Sequence, residues 1–160
     1  IREKDVQAGV LTHYTRIART NALLVGGAVE LILNDAIGIG VSHLSLANEI
    51  QTDDVLEPLS VSQTSALFDV IVGAKYRWFG RFALGIGTIV VAGTDLDGEE
   101  TATRGPTFEP ELAWGVNLYP HVRVGFGWSY RFAIMPGDSL VSSKQLTGAN
   151  ALVSLALGLD

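Results

Sequence analysis

The chain contains no cysteine and a single methionine in 160 residues. Without thiols it can have neither disulfide staples nor thiolate metal sites, a state that suits an exported bacterial protein. It also lacks any window of about 18 consecutive apolar residues, so no segment qualifies as a membrane helix. The longest apolar stretches are broken by Gly, Glu, Asp or Arg. Positive charge is scarce: 11 Lys and Arg stand against 17 Asp and Glu, for a net charge of −6. A surface of that sign repels nucleic-acid phosphates, and no nucleic-acid partner is expected. Also missing are a glycine-rich phosphate loop leading into a helix and a group of histidines at ligand spacing, so no cofactor and no metal site is expected. The polar start Ile1-Arg2-Glu3-Lys4-Asp5 has no apolar h-region and reads as a mature end left after signal-peptide removal.

Against these absences stands a high apolar content, 48% of residues, with a mean hydropathy of +0.30. A chain of this kind that enters lipid without helices must do so as a closed barrel, because only that arrangement satisfies every backbone group. The patterning agrees. In Val122-Arg123-Val124-Gly125-Phe126-Gly127-Trp128-Ser129-Tyr130-Arg131-Phe132 the even positions are bulky and apolar, while the odd ones are small or cationic. Successive strand side chains point to opposite faces, so this segment has one greasy face and one tight polar face. Eight such runs predict eight strands near 6–15, 21–33, 37–48, 65–78, 82–93, 107–118, 122–132 and 146–159. Most match the ~9–11 residues a tilted strand needs to cross a bilayer, against the ~5–6 usual in soluble sheets.

The connections alternate in length. Three short ones, 34–36, 79–81 and 119–121, contrast with long polar segments at 49–64, 94–106 and 133–145. Short periplasmic turns and long extracellular loops characterise outer-membrane barrels. The expected fold is therefore all-β: a single domain over 1–160, an eight-stranded antiparallel up-and-down transmembrane barrel. Tyr76, Trp78, Phe82, Phe108, Trp114, Trp128, Tyr130 and Phe132 are expected to face lipid. Several of these fall near an interface, whereas Trp114 and Trp128 fall closer to mid-membrane. An aromatic sandwich core is the soluble alternative.

The inward positions collect Glu30, Asp69, Lys75, Arg77, Glu109, Glu111, Asn117, Arg123 and Arg131. Charges in so narrow a lumen must be paired and hydrogen-bonded. If Leu118 faces Val122 across its turn, Glu109 opposes Arg131, Asn117 opposes Arg123 and Phe108 opposes Phe132. A Glu109–Arg131 ion pair with Glu111 close by is predicted. Such a network is either a plug that satisfies buried charge or a gated path for small ions. One pair of residues has a catalytic look: His43 and Ser45 share the outward face of the third strand, as a base and a nucleophile acting on lipid would. The segment resembles the His-x-Ser of outer-membrane lipid A deacylases, but Leu46 stands where those enzymes place Asn. Polar residues at the membrane interface are the structural alternative. The acidic loops, with Glu49, Asp53, Asp54 and Glu57 in one and Asp95, Asp97, Glu99 and Glu100 in another, offer hard oxygens of the kind Ca²⁺ takes. Asp95-Leu96-Asp97-Gly98-Glu99 lacks the full spacing of a calcium loop, and plain solvated loops are the simpler reading.

Several segments carry a family likeness: Gly26-Gly27 through Leu33-Asn34 with Ile37-Gly38-Ile39-Gly40, Phe108-Glu109-Pro110-Glu111-Leu112 with Val116-Asn117-Leu118, and Gly127-Trp128-Ser129-Tyr130-Arg131 with Leu146-Thr147-Gly148. Together they resemble the small outer-membrane β-barrel proteins common in Bacteroidetes-like bacteria, a group similar to the OmpA-type membrane domain. The resemblance implies an eight-stranded barrel in the bacterial outer membrane, usually without an enzymatic role. Such barrels commonly end in an aromatic residue, whereas this chain ends Leu157-Gly158-Leu159-Asp160. The functional expectation is a non-enzymatic anchor or a subunit of a larger envelope assembly. Its partners would be outer-membrane lipid and other envelope proteins reached through 49–64, 94–106 and 133–145. A lipid-modifying enzyme and a narrow solute channel are the other classes.

Overall fold

The computed structural model describes residues 4–51, 53 and 55–159. Eight antiparallel strands close into one barrel in sequence order: β1 Lys4–Ile17, β2 Thr20–Leu33, β3 Ile37–Leu46, β4 Ser60–Val72, β5 Trp78–Thr94, β6 Glu100–Tyr119, β7 Val122–Ala133 and β8 Gly148–Leu159. A helical turn, α1 Ser143–Leu146, precedes β8. Starting at Lys4, a row of backbone partners passes through Leu33, Ile37, Val70, Phe82, Leu112, Trp128 and Ala151 and rejoins β1 at Tyr14. The row has climbed ten residues along β1 in one circuit. Over strands about 4.8 Å apart, that stagger tilts them by about 40°. It also lifts β8 well above β1 at equal partner row, so height in the barrel cannot be read from residue number alone.

The start of β1, the end of β8 and the connections 34–36, 73–77 and 120–121 lie at one end, called here the turn end. The connections 18–19, 47–59, 95–99 and 134–147 lie at the other, the loop end. Ala18 and Arg19 both have positive φ, as do Asn34 and Asp35. This is the left-handed conformation that lets a tight turn follow the right-handed twist of its strands.

Strand boundaries differ from the sequence expectation in one consequential place. The segment 79–81 is not a turn: β4 ends at Val72, the chain reverses through 73–77, and β5 begins at Trp78. Gly73 supplies the left-handed φ of 80° that the reversal needs, and the Tyr76 N–H donates to its carbonyl at 2.9 Å. A glycine between aromatic and basic neighbours, Gly80, looks like a turn signal but sits inside a strand. Two of the three expected long loops also shrink. Residues 60–64 belong to β4, and 100–106 belong to β6, so β5 and β6 form a hairpin rising beyond the rest of the loop end. Its tip is only 95–99. The hairpin is tied to its neighbours at two points, by Leu56 N–H on the Thr94 carbonyl at 3.0 Å and by Ile134 N–H on the Pro106 carbonyl at 3.1 Å.

Burial runs opposite to that of a soluble protein. The outward face exposes Val10, Val41, Val72, Trp78, Phe82, Trp128, Val153 and many others, while His13, Gln63, Asp69, Glu109, Asn150 and Arg131 are buried. On β8 the outward positions run from Leu159 to Ala149 without a polar side chain. Ten steps of ~3.3 Å tilted by ~40° give an apolar height of about 25 Å, that of a membrane-barrel band.

Candidate functional site

The lumen is layered. At the turn end an open vestibule of about 500 Å³ is bordered by Asp5, Asp35, Lys75, Arg77, Asn117 and Arg123. Lys75 and Arg77, expected in the lumen, belong to the 73–77 reversal and are exposed. Because β4 ends at Val72, these cations have no inward face to occupy. Lys75 bridges to Asp35 of the neighbouring turn at 3.1 Å. Tyr76 is likewise a turn residue on the vestibule rim rather than a strand residue on the outward face. Just inside, Arg123 donates to Asn117 Oδ1 at 2.9 Å and lies over the Phe79 ring at 5.0 Å. Asn117 in turn ties down the reversal, donating to the Ala74 carbonyl at 2.9 Å.

The next layer is built on Arg81, which the sequence reading placed in a turn. It points into the barrel and donates to Asp69 Oδ2 at 2.6 Å, Glu30 Oε1 at 2.5 Å and Glu111 Oε1 at 3.4 Å. One guanidinium thus joins carboxylates from β4, β2 and β6. Arginine suits this position because its planar fork offers five donors in fixed directions. Gly38 on β3 leaves room for the Asp69 carboxylate, since a Cβ there would collide with it. A cavity of about 40 Å³ lies beside Arg81, Glu30, Gln7 and Arg123.

Above it Glu109 accepts hydrogen bonds from Gln63 Nε2 at 2.8 Å, Asn150 Nδ2 at 2.8 Å and Ser129 Oγ at 2.5 Å, with His13 Nδ1 3.3 Å away. The predicted direct Glu109–Arg131 bond is replaced by a bridge. Arg131 Nη1 donates to Gln63 Oε1 at 3.0 Å, and Gln63 passes the contact on to Glu109. Residues opposed on adjacent antiparallel strands do project to one face. Here, however, Arg131 turns upward, and its Nε donates to the Leu146 carbonyl at 3.0 Å. The expected β6–β7 register itself is present, with Phe108 opposite Phe132 and Asn117 opposite Arg123. Leu118 does not face Val122, because a bulge between Asn117 and Tyr119 sets Tyr119 against Val122.

Beyond Arg131 the lumen turns apolar. Ile17, Leu24, Leu44, Val61, Ile89 and Val91 from the strands pack with Ile50, Val55 and Leu59 of 47–59, and with Met135, Val141 and Leu146 of 134–147. The two loops therefore fold into the mouth and cap it. The segment Ser142-Ser143-Lys144-Gln145 starts α1 with reciprocal Ser142 and Gln145 hydrogen bonds, a capping box visible in the sequence. That box seats Leu146 in the cap.

His43 and Ser45 face outward on β3. Ser45 Oγ is 3.3 Å from His43 Nε2, and Thr64 Oγ1 is 2.8 Å from His43 Nδ1. Asn48 does not join them. It is occupied with the top of β2, accepting from Leu23 N–H and donating to the Asn21 carbonyl. In the acidic hairpin tip, Asp95 Oδ1 accepts from the Asp97 and Glu99 N–H groups, so this carboxylate serves the turn. Among the described residues no group of three or more His, Asp or Glu is arranged to hold a metal ion; Asp54 lies outside the described residues. Trp78, Phe82, Phe108, Trp114, Trp128, Tyr130 and Phe132 are all on the outward face, with Trp114 edge-on to Phe126 and Trp128 at 5.0 and 4.9 Å.

A closed, eight-stranded, up-and-down barrel with an apolar outside and a charged inside is the architecture of the small outer-membrane barrels. Solved structures of that class match nearly the whole chain. Neisserial surface protein A superposes with a TM-score of 0.72 at 10% identity, covering 96% of each chain. The N-terminal β-barrel domain of Pseudomonas aeruginosa OprF gives 0.70 at 10% identity and 97% of each. Ail, the attachment invasion locus protein of Yersinia pestis, gives 0.61 at 9% identity, covering 97% of this chain and 96% of that one. No family model and no curated protein matches the sequence. At such identities the likeness is one of fold.

Proposed function

We propose that the protein is a bacterial outer-membrane barrel without catalytic activity. It is sealed against solute flow and serves as an anchor or as a subunit of a larger envelope assembly. The observation that carries this reading is the pairing of a continuous apolar outer band with a lumen filled by two charge networks and capped by its own loops. Among the described residues the lumen itself opens at the turn end, which would face the periplasm. The protruding β5–β6 hairpin and the loops 47–59 and 134–147 are the contact surface, since rigid scaffolds carry function on what they display. The Bacteroidetes-like relationship belongs to the same proposal and rests on the quoted segments. Planar-bilayer recordings of the refolded barrel test it: no steady conductance is expected, and stable open pores would overturn the sealed lumen.

A second reading has one observation in its favour, the Ser45–His43–Thr64 hydrogen-bonded chain on the outward face. In it Ser45 attacks an acyl ester of a neighbouring lipid with His43 as base. Expression should then lower the mass of the host lipid A by one acyl chain, and Ser45→Ala should restore it. An unchanged mass with wild-type protein removes this reading.

A further inference from the structure

Charge at the loop end is unevenly placed. Glu49, Asp53 and Glu57 lie in 47–59, and Asp95, Asp97, Glu99 and Glu100 surround the β5–β6 tip. The opposite side of the mouth reverses sign. There a concavity of about 680 Å³ is lined by Arg16, Arg19, Ser142, Lys144, Gln145 and Thr147, with no carboxylate among them. The three cations are exposed and, among the described residues, none of them is in an ion pair.

The cations are brought together by the fold. Arg16 ends the outward row of β1, Arg19 occupies the left-handed second position of the β1–β2 turn, and Lys144 is in the last turn of α1. The Arg16 guanidinium donates to the Arg19 carbonyl at 3.2 Å, and Ala18 N–H donates to the Gln145 carbonyl at 3.3 Å, which docks α1 on the turn. Buried Leu146 fixes the helix from below.

Directly beneath this patch the outward face is apolar and furrowed. Ala151 on β8 pairs with Trp128 on one side and Tyr14 on the other, and Ala149 pairs with Tyr130. Small alanines thus form a floor between aromatic walls, and Arg16 stands two residues above Tyr14 on the same face. A molecule suited to both parts has a dianionic head and hydrocarbon tails.

We propose that Arg16, Arg19 and Lys144 form a binding site for a phosphate monoester on the headgroup of an outer-leaflet lipid, whose acyl chains lie in the Ala149–Ala151 furrow. The proposal rests on the membrane-barrel reading above. Two guanidinium forks and an ammonium match a phosphate better than a carboxylate, which offers fewer acceptor oxygens. The position of the site at the top of the apolar band favours an embedded source over a free anion.

The test uses the full chain refolded in dodecyl maltoside, with native mass spectrometry reading how much diphosphoryl lipid A each folded barrel retains. Replacing all three cations with glutamine should weaken retention on the order of a hundredfold, and single substitutions about fivefold each, the effect of about 1 kcal/mol per surface cation. Arg104→Gln, which removes an exposed arginine of β6 outside the concavity, should leave retention unchanged. Inorganic phosphate at millimolar concentration should not displace the lipid. Equal retention by the triple variant, or an equal loss with Arg104→Gln, would overturn the site. Displacement by inorganic phosphate would assign it to a free anion instead. A chain that is soluble and folded without detergent would overturn the membrane-barrel reading and this site with it. A detergent-folded barrel that retains lipid A regardless of the three cations overturns this site alone.

Discussion

Arg81→Met removes the hub of the lower network and leaves its three carboxylates facing one another in the lumen. The side chains of Arg81, Glu30 and Glu111 are 13%, 11% and 12% exposed, and that of Asp69 is fully buried, so water replaces the missing partner only in part. Breaking one buried pair by deleting a partner costs about 3–5 kcal/mol. A ceiling on each stranded carboxylate comes from protonating it at pH 7, about 4 kcal/mol from a reference value near 4.3. The three groups share one partner and their losses do not add, so a total of about 5 kcal/mol is expected. Arg81→Lys keeps the charge but not the fork, and should cost about 1–2 kcal/mol. Adding Glu30→Gln, Asp69→Asn and Glu111→Gln to Arg81→Met replaces the ionic cluster with neutral groups of similar volume, and should recover most of the loss. Urea unfolding in lipid vesicles, read by tryptophan emission, measures all three. The reasoning fails if Arg81→Met lies within about 1 kcal/mol of wild type, or if the neutralised variant is no more stable than the single one.

Other outcomes follow from particular contacts. Gly38→Ala should push the Asp69 carboxylate off its place and destabilise by about 1–3 kcal/mol, whereas Gly80→Ala, with nothing within 4 Å of the added methyl, should fall within about 0.5 kcal/mol in the same assay. Gln63→Leu cuts the link between Arg131 and Glu109 while leaving both buried, and a loss of about 2–4 kcal/mol is expected; an unchanged urea midpoint would show that the bridge carries nothing. Ala18→Asn places a residue tolerant of positive φ at a strained turn position and should raise stability by up to about 1 kcal/mol. Single-tryptophan variants test the outward face. Emission from Trp114 and Trp128, near the middle of the band, should be quenched best by lipids brominated deep in the chain, and Trp78 by shallow bromines. Equal quenching at all depths would contradict the orientation.

Much of this was legible along the chain. Alternation on β2, β3, β6, β7 and β8 identified which residues share a face, and the β6–β7 register followed from a turn guess even though that turn contains a bulge. The lower network was half visible: Glu30, Asp69 and Glu111 fell on the inward face, but their partner did not. Arg81 was hidden because Gly80 beside it imitates a turn, while the reversal eight residues earlier is signalled only by Gly73. Gln63 and His13 were missed for a related reason, since β4 was begun too late and β1 has no clean apolar face. A glutamine at the end of a long polar loop looks like more loop.

A period of two therefore determined, from sequence alone, that there are eight strands with an apolar face and a small or charged one. Strand pairing is local, and the two faces of a strand differ whatever lies beyond them. Which charges meet, and what closes the lumen, was decided only by barrel closure. The ten-residue stagger brings β2, β4, β5 and β6 to a common height around Arg81 and lets two distant loops drop into one mouth. Those contacts join positions tens of residues apart across a lumen whose width no single strand encodes.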